Sequence, residues 1–400
     1  MTETVEKLTQ AGLGQLVDGT LLERVLPGEE VDVLPDGTAR IVTPVVDRVK
    51  PPCRHFKSCG GCAMQHASDD FVGSWKTAIV ERALAARGMP FPFRKLHTSP
   101  IQSRRRARFS GRRTKKGAMI GFHAKGSDAL IEVSDCQLVL QSIIDGFPAL
   151  EALTVIAASR KSEINLTVTD TSGGLDVLVE TERALDGPLR VELAGLAETQ
   201  DLARLAWNDD VVVTRREPDQ FFGAARVAPP AGAFLQATRE GEGALVSAVL
   251  DVVVGAKKVV DLFAGAGTFA LSMAKTAEVH AVEGGSEMLS TLDRGWRHAK
   301  GLKSVTTETR DLFRRPLEPD ELNRFDVAVL DPPRAGADAQ IKTLAASDLR
   351  KIAMVSCNPV TFSRDAAVLL DAGFNMDWVD VVDQFRWSPH VELVASFTRS

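Results

Sequence analysis

The stretch VVDLFAGAGTFAL, residues 259–271, decides the fold class of this chain. An apolar run typical of a buried strand leads into Gly265 and Gly267, and a helix-forming segment follows. Glycines at the turn between a first strand and its helix let the backbone approach a ligand at the carboxyl end of a sheet. Two glycines alone would be weak evidence, but with this strand and helix around them they predict a ligand-binding α/β unit.

The residues around this unit continue the same pattern to the end of the chain. Strand-like and helix-like segments alternate after about residue 236, and the strands are apolar almost throughout. This alternation is typical of a parallel sheet covered by helices on both faces. We predict an α/β protein in which residues 236–400 form a Rossmann-like class I domain. Residues 1–50 are expected to form a short β module, and residues 51–235 a β-rich central α+β domain.

Acidic residues end several strands of the predicted parallel sheet. Glu283 ends the second strand, where an acid suits the hydroxyl groups of a ribose, and Asp311 ends the third, where an adenine amino group could bind. A nucleotide-dependent dehydrogenase would share these features. The fourth strand ends in DPPR, residues 331–334. An acid before two prolines at this position resembles the active-site loop of S-adenosylmethionine-dependent methyltransferases.

Cys357 ends the fifth strand, in the segment VSCNP. A free cysteine is more often a buried, inert side chain, but this one is predicted to face the ligand cleft. A thiolate that adds to carbon 6 of a pyrimidine makes carbon 5 nucleophilic enough to accept a methyl group. A base must then remove the carbon 5 proton, and the candidate is Glu392 at the start of the last strand.

Three of the five cysteines lie in CRHFKSCGGC, residues 53–62. In a cytosolic chain such a cluster indicates metal binding or catalysis rather than disulfides. The segment lacks the second ligand pair of a zinc finger. The residues alone leave two ligand sets open. One is a zinc site completed by His55 and His66, and the other is a set of four thiolates that includes Cys136 and suits an iron–sulfur cluster.

The charge of the chain is unevenly distributed. The net charge is −5, yet RRRARFSGRRTKK, residues 104–116, holds eight basic residues and no acidic one. This concentration indicates a polyanionic partner, although such runs are often only solvated hairpins. The first residues carry no apolar run, and no apolar stretch reaches the length of about 18 residues that a membrane span needs. We therefore expect a cytoplasmic protein without a signal peptide or membrane span, and a monomer.

Together these motifs resemble the RNA 5-methyluridine methyltransferase family. The segments CRHFKSCGGC, DLFAGAGTF, LDPPRAG, VSCNPVTFSRD and HVE match it in this order, and the resemblance covers about residues 15–400. It implies that Cys357 is the nucleophile and Glu392 the general base. It also implies an N-terminal RNA-binding barrel of the TRAM type, here shortened, a central RNA-binding domain and a C-terminal catalytic domain.

The resemblance also implies ligands for the two candidate sites. Four cysteines would hold a 4Fe-4S cluster: Cys53, Cys59, Cys62 and Cys136. S-adenosylmethionine would be bound by Gln236, Phe263, Gly265, Gly267, Thr268, Glu283, Asp311 and Asp331. The chain departs from the family pattern at Ala264, which replaces a cysteine, and at Thr238, which replaces an asparagine. It also departs before Glu392, where Arg386 and Trp387 are candidate RNA contacts.

The expected function is methyl transfer from S-adenosylmethionine to carbon 5 of a uridine in RNA. Ribosomal 23S RNA is favoured over tRNA, because some tRNA-modifying members of the family lack both the N-terminal module and the cluster. The alternatives are a tRNA uracil-5-methyltransferase, a base-nitrogen methyltransferase without a covalent intermediate, and a non-catalytic RNA-binding or folding factor. Replacement of Cys357 by alanine would leave the base-nitrogen enzyme active.

Overall fold

The N-terminal segment builds a small antiparallel sheet. In this computed structural model, which describes residues 2–400, its strands are β1 (Thr2–Leu8), β2 (Gly14–Leu16), β3 (Leu21–Leu22), β4 (Glu30–Val33) and β5 (Ala39–Thr43). They pair in the order β3-β2-β1-β4-β5. Val5, Leu16, Leu22, Val25 and Val31 form the core of the sheet. These strands occupy the segment predicted to be a short β module.

Helix α1 (Asp69–Ala85) and strand β6 (Phe93–Thr98) follow the cysteine segment. The hydroxyl of Ser68 caps α1 by accepting a hydrogen bond from the N–H of Phe71. Val72, Trp75 and Ile79 on the buried face of α1 belong to one of the two cores of the C-terminal sheet. The helix is therefore packed as part of the C-terminal half of the molecule.

The central part is a seven-stranded mixed sheet with helices. Its elements are β7 (Arg106–Arg113), β8 (Ala118–His123), β9 (Leu130–Glu132), α2 (Gln141–Asp145), α3 (Phe147–Ala157), β10 (Glu163–Thr171), β11 (Gly174–Glu180), α4 (Gly187–Thr199), β12 (Arg204–Trp207) and β13 (Asp210–Thr214). The strand order is β13-β12-β11-β10-β7-β8-β9. All neighbours are antiparallel except β11 and β12, which α4 connects. This is the α+β organisation expected from the sequence.

The C-terminal part is an α/β sheet with helices on both faces. A hairpin of β14 (Gln220–Phe222) and β15 (Ala225–Val227) precedes it. Its elements are α5 (Arg239–Val253), β16 (Lys258–Leu262), α6 (Thr268–Met273), β17 (Glu278–Glu283), α7 (Ser286–His298), β18 (Val305–Thr309), α8 (Pro319–Leu322), β19 (Val327–Leu330), α9 (Asp338–Ala346), β20 (Lys351–Ser356), α10 (Pro359–Asp371), β21 (Asn375–Asp383) and β22 (Glu392–Thr398).

The strand order of this sheet is β18-β17-β16-β19-β20-β22-β21-β6. Strands β16 to β20 are parallel, and β22 runs antiparallel to both of its neighbours. The chain order reverses between β16 and β19, so a crevice opens at the carboxyl ends of these two strands, where ligands bind in such folds. The predicted Rossmann-like sheet is present, and the elements that carry the candidate residues end at this crevice.

Strand β6 extends the C-terminal sheet although it lies within residues 51–235. It pairs in parallel with β21, up to the pair of Thr98 and Asp383. The segment that follows the cysteines therefore shares a sheet and a core with the C-terminal part. No helix within residues 2–400 is long and apolar enough to cross a membrane.

Candidate active site

The turn after β16 has the backbone geometry that its glycines predict. Gly265 and Gly267 have φ values of +55° and +100°. A side chain at Gly267 would place its Cβ 2.8 Å from Cγ of Leu292, which is too close. Phe263 also has a positive φ of 64°, which is an outlier for an aromatic residue and indicates a strained, functional turn.

Glu283 lies beside this turn because two backbone groups hold its carboxylate. The N–H of Gly265 donates to Oε2 of Glu283 at 3.1 Å, and the N–H of Gly285 donates to Oε1 at 2.9 Å. The phenyl ring of Phe263 lies 5.4 Å from that of Phe313, which is half exposed. Asp311 accepts a hydrogen bond from the N–H of Phe313. Two aromatic faces and two carboxylates thus border one cleft.

Phe313 and Asp261 are two residues that the sequence analysis missed. Asp261 in β16 is fully buried, and no side chain among the described residues donates a hydrogen bond to its carboxylate. Burial raises the pKa of Asp261 well above its ordinary value, and the nearby charges of Asp331 and Glu283 add to the rise. The signal in the sequence was an acidic residue inside the apolar run VVDLF.

Asp331 at the end of β19 is held by a chain of amide groups. Nε2 of Gln236 donates to Oδ2 of Asp331 at 3.1 Å, and Nε2 of Gln384 donates to Oε1 of Gln236 at 2.6 Å. Burial raises the pKa of Asp331 to about 7, and the hydrogen bond from Gln236 opposes the rise. Gln384, another residue that the sequence analysis missed, also hydrogen-bonds Glu392 and opposes the rise in the pKa of its carboxyl.

Cys357 and Glu392 come together at this cleft. Burial raises the pKa of the Cys357 thiol to about 11, and the negative charges of Glu392 and Asp331 add to the rise, whereas Arg334 opposes it. Burial likewise raises the pKa of Glu392 to about 8, and the charge of Asp331 adds to it. The thiol, two carboxyl groups and one guanidinium therefore lie within electrostatic reach of one another, as the predicted chemistry requires.

Asn358, the residue after Cys357, holds the DPPR loop, residues 331–334, through a hydrogen bond. Nδ2 of Asn358 donates to the carbonyl of Arg334 at 3.0 Å, and Oδ1 of Asn358 caps α10 by accepting from the N–H of Val360. Nη2 of Arg334 lies 2.9 Å from Nδ1 of His390. Of the remaining predicted positions, Thr268 begins α6, and Thr238 caps α5 through its hydroxyl. The threonine that replaces the family's asparagine is thus a helix cap.

The four predicted cluster cysteines converge at the contact between the cysteine segment and the central sheet. All four are free thiols, and Cys136 is buried. Burial raises the pKa of Cys62 to about 12, and the charges of Cys136, Cys59 and Cys53 add to the rise, so all four lie near one another. Within residues 2–400, however, no three metal-ligating side chains stand in a ready-made metal site.

The backbone around these thiols is close-packed. The N–H of Gly60 donates to the carbonyl of His123 at 2.9 Å, and a Cβ at Gly60 would lie 2.8 Å from that oxygen. The N–H of Gly61 donates to Sγ of Cys59 at 3.4 Å. Of the two histidines of the zinc alternative, His55 hydrogen-bonds Asp135, whereas the buried ring of His66 stacks on Phe56 and its Nδ1 has no hydrogen-bond partner among the described residues.

The basic run of residues 104–116 is not one continuous cationic surface. Several of its arginines form ion pairs within the protein. Arg105 is buried against Glu242, Arg108 pairs with Glu180, and Arg112 pairs with Glu163. In the part of the chain that the structure describes, three exposed cations of the run form no ion pair: Arg113, Lys115 and Lys116.

Arg386 and Trp387 are not exposed for RNA contact. Arg386 binds the carboxylate of Asp69 and the carbonyl of Ser99, and the side chain of Arg386 is 13% exposed. Trp387 is 4% exposed. The prediction of an RNA contact is therefore wrong for Trp387, which is buried, while the guanidinium of Arg386 is held by Asp69 and Ser99.

Comparison with known proteins agrees with this geometry. A family model described as tRNA (Uracil-5-)-methyltransferase matches residues 298–399. An uncharacterised RNA methyltransferase of Mesorhizobium japonicum is 42% identical over 98% of this chain and 96% of its own length. The 23S rRNA (uracil(1939)-C(5))-methyltransferase RlmD of a Shewanella species is 29% identical over 90% of this chain and 84% of its own length.

A solved structure shares the whole fold. The tRNA (uracil-54, C5)-methyltransferase of Pyrococcus abyssi, in complex with S-adenosyl-L-homocysteine, has a TM-score of 0.78 over 100% of this chain and 99% of its own, at 23% identity. The predicted α/β methyltransferase fold is therefore confirmed. Because a relative at 42% identity covers nearly its whole length, this chain belongs to the RNA methyltransferases.

Proposed function

We propose that this protein transfers a methyl group from S-adenosylmethionine to carbon 5 of a uridine in RNA. The observation that supports this best is the antiparallel pairing of β20 and β22, in which Ser356 lies opposite Leu393, so that Cys357 and the buried Glu392 adjoin each other at the strand ends. A methyl transfer to a base nitrogen needs no thiol nucleophile and no second base. A non-catalytic RNA-binding factor would not need two buried ionisable groups, each of which costs folding free energy.

Cys357 is proposed as the nucleophile. After its proton is lost, Sγ bonds to carbon 6 of the uracil, and the electron pair of the 5,6 double bond moves towards O4 as an enolate. The positive charge of Arg334 favours the thiolate, because it lowers the pKa of Cys357 against the effect of burial. Bound S-adenosylmethionine supplies an electrophilic methyl group, which carbon 5 accepts.

Glu392 is proposed as the base that completes the reaction. Its carboxylate takes the proton from carbon 5, the 5,6 double bond re-forms, and the bond between carbon 6 and Sγ of Cys357 breaks. The pKa of about 8 makes this carboxylate a stronger base than an exposed one. Gln384, which hydrogen-bonds Glu392 and Gln236, orients the carboxylate within the cleft.

The cofactor is proposed to lie across the glycine turn. Glu283 would bind the ribose hydroxyls, Asp311 the adenine amino group, and the rings of Phe263 and Phe313 the adenine face. Further predicted contacts come from the turn and the neighbouring loops: Gly265, Gly267, Thr268, Gln236 and Asp331.

Four cysteines are proposed to hold a 4Fe-4S cluster: Cys53, Cys59, Cys62 and Cys136. The donor chemistry would fit, because the charges of Cys136, Cys59 and Cys53 act on the Cys62 thiol and a backbone N–H already donates to Sγ of Cys59. The cluster would tie the cysteine segment to the central sheet. It would be structural, since methyl transfer from a sulfonium requires no electron.

We propose 23S rRNA as the substrate and tRNA as the alternative. A sequence relative with a named substrate, at 29% identity, acts on a uracil of 23S rRNA. The five-stranded N-terminal sheet and the central sheet would form the RNA-binding parts of the protein. The target uridine must leave its base stack to reach Cys357 inside the cleft.

One experiment tests the reaction and its chemistry together. The purified protein is incubated with S-adenosylmethionine and with 23S rRNA or tRNA that carries tritium at carbon 5 of uridine. We expect tritium release from 23S rRNA and none after Cys357→Ala. Methylation without tritium release, or activity that survives Cys357→Ala, would contradict carbon 5 transfer, whereas tritium release from tRNA alone would change only the substrate.

A further inference from the structure

A buried lysine from outside the catalytic part holds the segment that leads into Glu392. Lys76 lies on α1 and is fully buried. Its ammonium group contacts the carboxylate of Asp383 and donates hydrogen bonds to the carbonyls of Phe385 at 2.9 Å and His390 at 2.8 Å. Asp383 ends β21, and the two carbonyls lie near the opposite ends of residues 384–391, the connection between β21 and β22.

This connection, which we call the base loop, contributes directly to the proposed active site. Its first residue after β21 is Gln384, which hydrogen-bonds Glu392 and Gln236. Near its other end, His390 lies beside Arg334. Glu392 follows two residues later as the first residue of β22. A shift of either end of the base loop would therefore move the carboxylate or its hydrogen-bonding partner.

The middle of the base loop is held from the same side of the molecule. The carbonyl of Trp387 accepts hydrogen bonds from the N–H groups of Ala63 at 2.7 Å and Met64 at 3.0 Å, just after Cys62. Trp387 has a positive φ of 60°, a conformation that persists only where its surroundings impose it. Lys76 is thus the one side chain among the described contacts that joins both ends of the loop.

Packing alone does not account for a lysine here. A buried ammonium group loses its hydration, and a well-packed apolar residue is often as stable as a buried ion pair. Oδ2 of Asp383 accepts no hydrogen bond, so the ion pair between Lys76 and Asp383 leaves part of a buried carboxylate uncompensated. Two of the three bonds of Lys76 instead go to loop carbonyls, which only a donor with several protons can join at one point.

We propose that Lys76 is a positioning residue for the general base. Its ammonium group donates hydrogen bonds near both ends of the base loop, holds these ends together and so fixes the orientation of Glu392. This inference rests on the proposed function for its catalytic consequence. Its structural part, the immobilisation of residues 384–391 by Lys76, is measurable without any reaction.

The test uses a double variant, Lys76→Met/Asp383→Asn, because Lys76→Met alone leaves a buried carboxylate uncompensated and is expected to unfold more easily. The double variant removes both charges, keeps the approximate volume, and deletes the bonds to the two loop carbonyls. Arg82→Met, an exposed position on the same helix, is the matched control. Glu392→Gln serves as the reference for a lost base.

Hydrogen–deuterium exchange of residues 384–391 gives the first readout. We expect exchange at least about tenfold faster in the double variant than in wild type, with Arg82→Met unchanged. Unchanged exchange in a folded double variant would overturn the proposal, whatever the enzyme's activity.

The covalent complex between protein and RNA gives the second readout, on a denaturing gel. Because Glu392 acts only after the bond to Cys357 has formed, the double variant should accumulate this complex, as Glu392→Gln also should, while tritium release falls about tenfold or more. Unchanged cofactor affinity would place the defect after binding. A proportional loss of complex and tritium release would overturn the positioning role. Failure of the wild-type protein to release tritium would instead contradict the proposed function and leave the exchange result as the test of Lys76.

Discussion

The carboxyl group of Glu392 lies close enough to the thiol of Cys357 to raise the pKa of the thiol. This relationship couples the two steps of the proposed reaction. The ionised base disfavours the thiolate, so the nucleophile and the base do not both ionise easily in the empty cleft. Arg334, which opposes the rise in both pKa values, partly relieves this conflict.

Replacement of Glu392 by glutamine should make Cys357 easier to ionise. The substitution removes a negative charge, so the pKa of the thiol should fall from about 11, although burial keeps it above its ordinary value of 9.0. Alkylation of the Cys357 peptide, followed by mass spectrometry across pH 7–11, measures this directly. The two proteins should differ mainly above about pH 8, where Glu392 is ionised in wild type. Identical profiles would mean that the two groups do not interact.

The same carboxyl group should make the stability of the protein depend on pH. The pKa of Glu392 is raised from 4.5 to about 8 in the folded protein, so the folded state binds more protons than the unfolded state between these values. The free energy of unfolding should therefore fall as pH rises from about 4.5 to about 8. Glu392→Gln should be more stable than wild type at pH 8, by about 2–4 kcal/mol.

Urea denaturation at pH 5 and pH 8 measures this difference. Glu287→Gln, at an exposed position on α7, is the matched control and should leave the pH dependence unchanged. A wild-type protein and a Glu392→Gln variant whose stabilities change equally between the two pH values would contradict the buried, protonated state of this carboxyl.

Local patterns in the sequence were sufficient to predict where the glycine turn and the acidic strand ends would lie, which is where we propose that the cofactor binds. The glycine turn, Glu283 and Asp331 are set by strand ends, and the carboxyl ends of parallel strands necessarily meet at one edge. Cys357 and Glu392 could be predicted in the same way, because both lie at ends of strands in this sheet. Each of these residues could be identified because it lies in a short segment with a defined chemical pattern.

The contacts between distant segments could not be predicted. Lys76 contacts Asp383, which lies 307 positions later in the sequence, and no local pattern predicts that the two residues are paired. A lysine in an amphipathic helix is usually exposed, so its burial depends on tertiary packing that one sequence does not reveal. The same reason explains the error at Trp387, where an aromatic residue beside an arginine suggested an RNA contact but packing buries it.

The glycine turn gives a prediction about strain. Gly267→Ala should destabilise the protein by about 2–4 kcal/mol and weaken S-adenosylmethionine binding, because its φ is +100° and its Cβ would collide with Leu292. Gly373→Ala is the matched control, since its φ of +86° carries backbone strain but no atom lies within 4 Å of the added Cβ. That control should cost about 1 kcal/mol and leave cofactor binding unchanged. Equal effects at both positions would show that the collision is unimportant.

The proposed cluster predicts a specific dependence on Cys136. Protein purified without oxygen should contain iron and sulfide and absorb visible light, and Cys136→Ser should lose most of both. Cys357→Ser, which lies outside the set of four thiols, should keep them. Since the N–H groups after Cys62 hold Trp387, loss of the cluster should also speed hydrogen exchange in the base loop. Full iron content in Cys136→Ser, or zinc in the wild-type protein, would exclude the proposed ligand set.

Some cations of residues 104–116 form ion pairs within the protein and others are exposed and unpaired, so we expect them to differ in function. Replacement of the exposed, unpaired cations Arg113, Lys115 and Lys116 by glutamine should weaken RNA binding and lower the slope of log affinity against log salt. Each phosphate contact contributes about 0.7–0.9 to that slope, so the largest expected change is about 2–3. Arg105→Gln should instead destabilise the fold by about 3–5 kcal/mol, because it leaves the buried Glu242 without its partner.

A charge-matched control separates a binding surface from a general loss of positive charge. Replacement of Arg294, Lys300 and Lys303 by glutamine removes the same charge. These three exposed residues lie on α7 or between α7 and β18, and β18 is the edge strand of the C-terminal sheet farthest from β6. Filter binding of an rRNA fragment over a salt series should show the reduced slope only for the triple variant of the basic run. Equal losses in both triple variants would mean that RNA responds to net charge alone, and that the hairpin between β7 and β8 is a solvated loop rather than part of the RNA-binding surface.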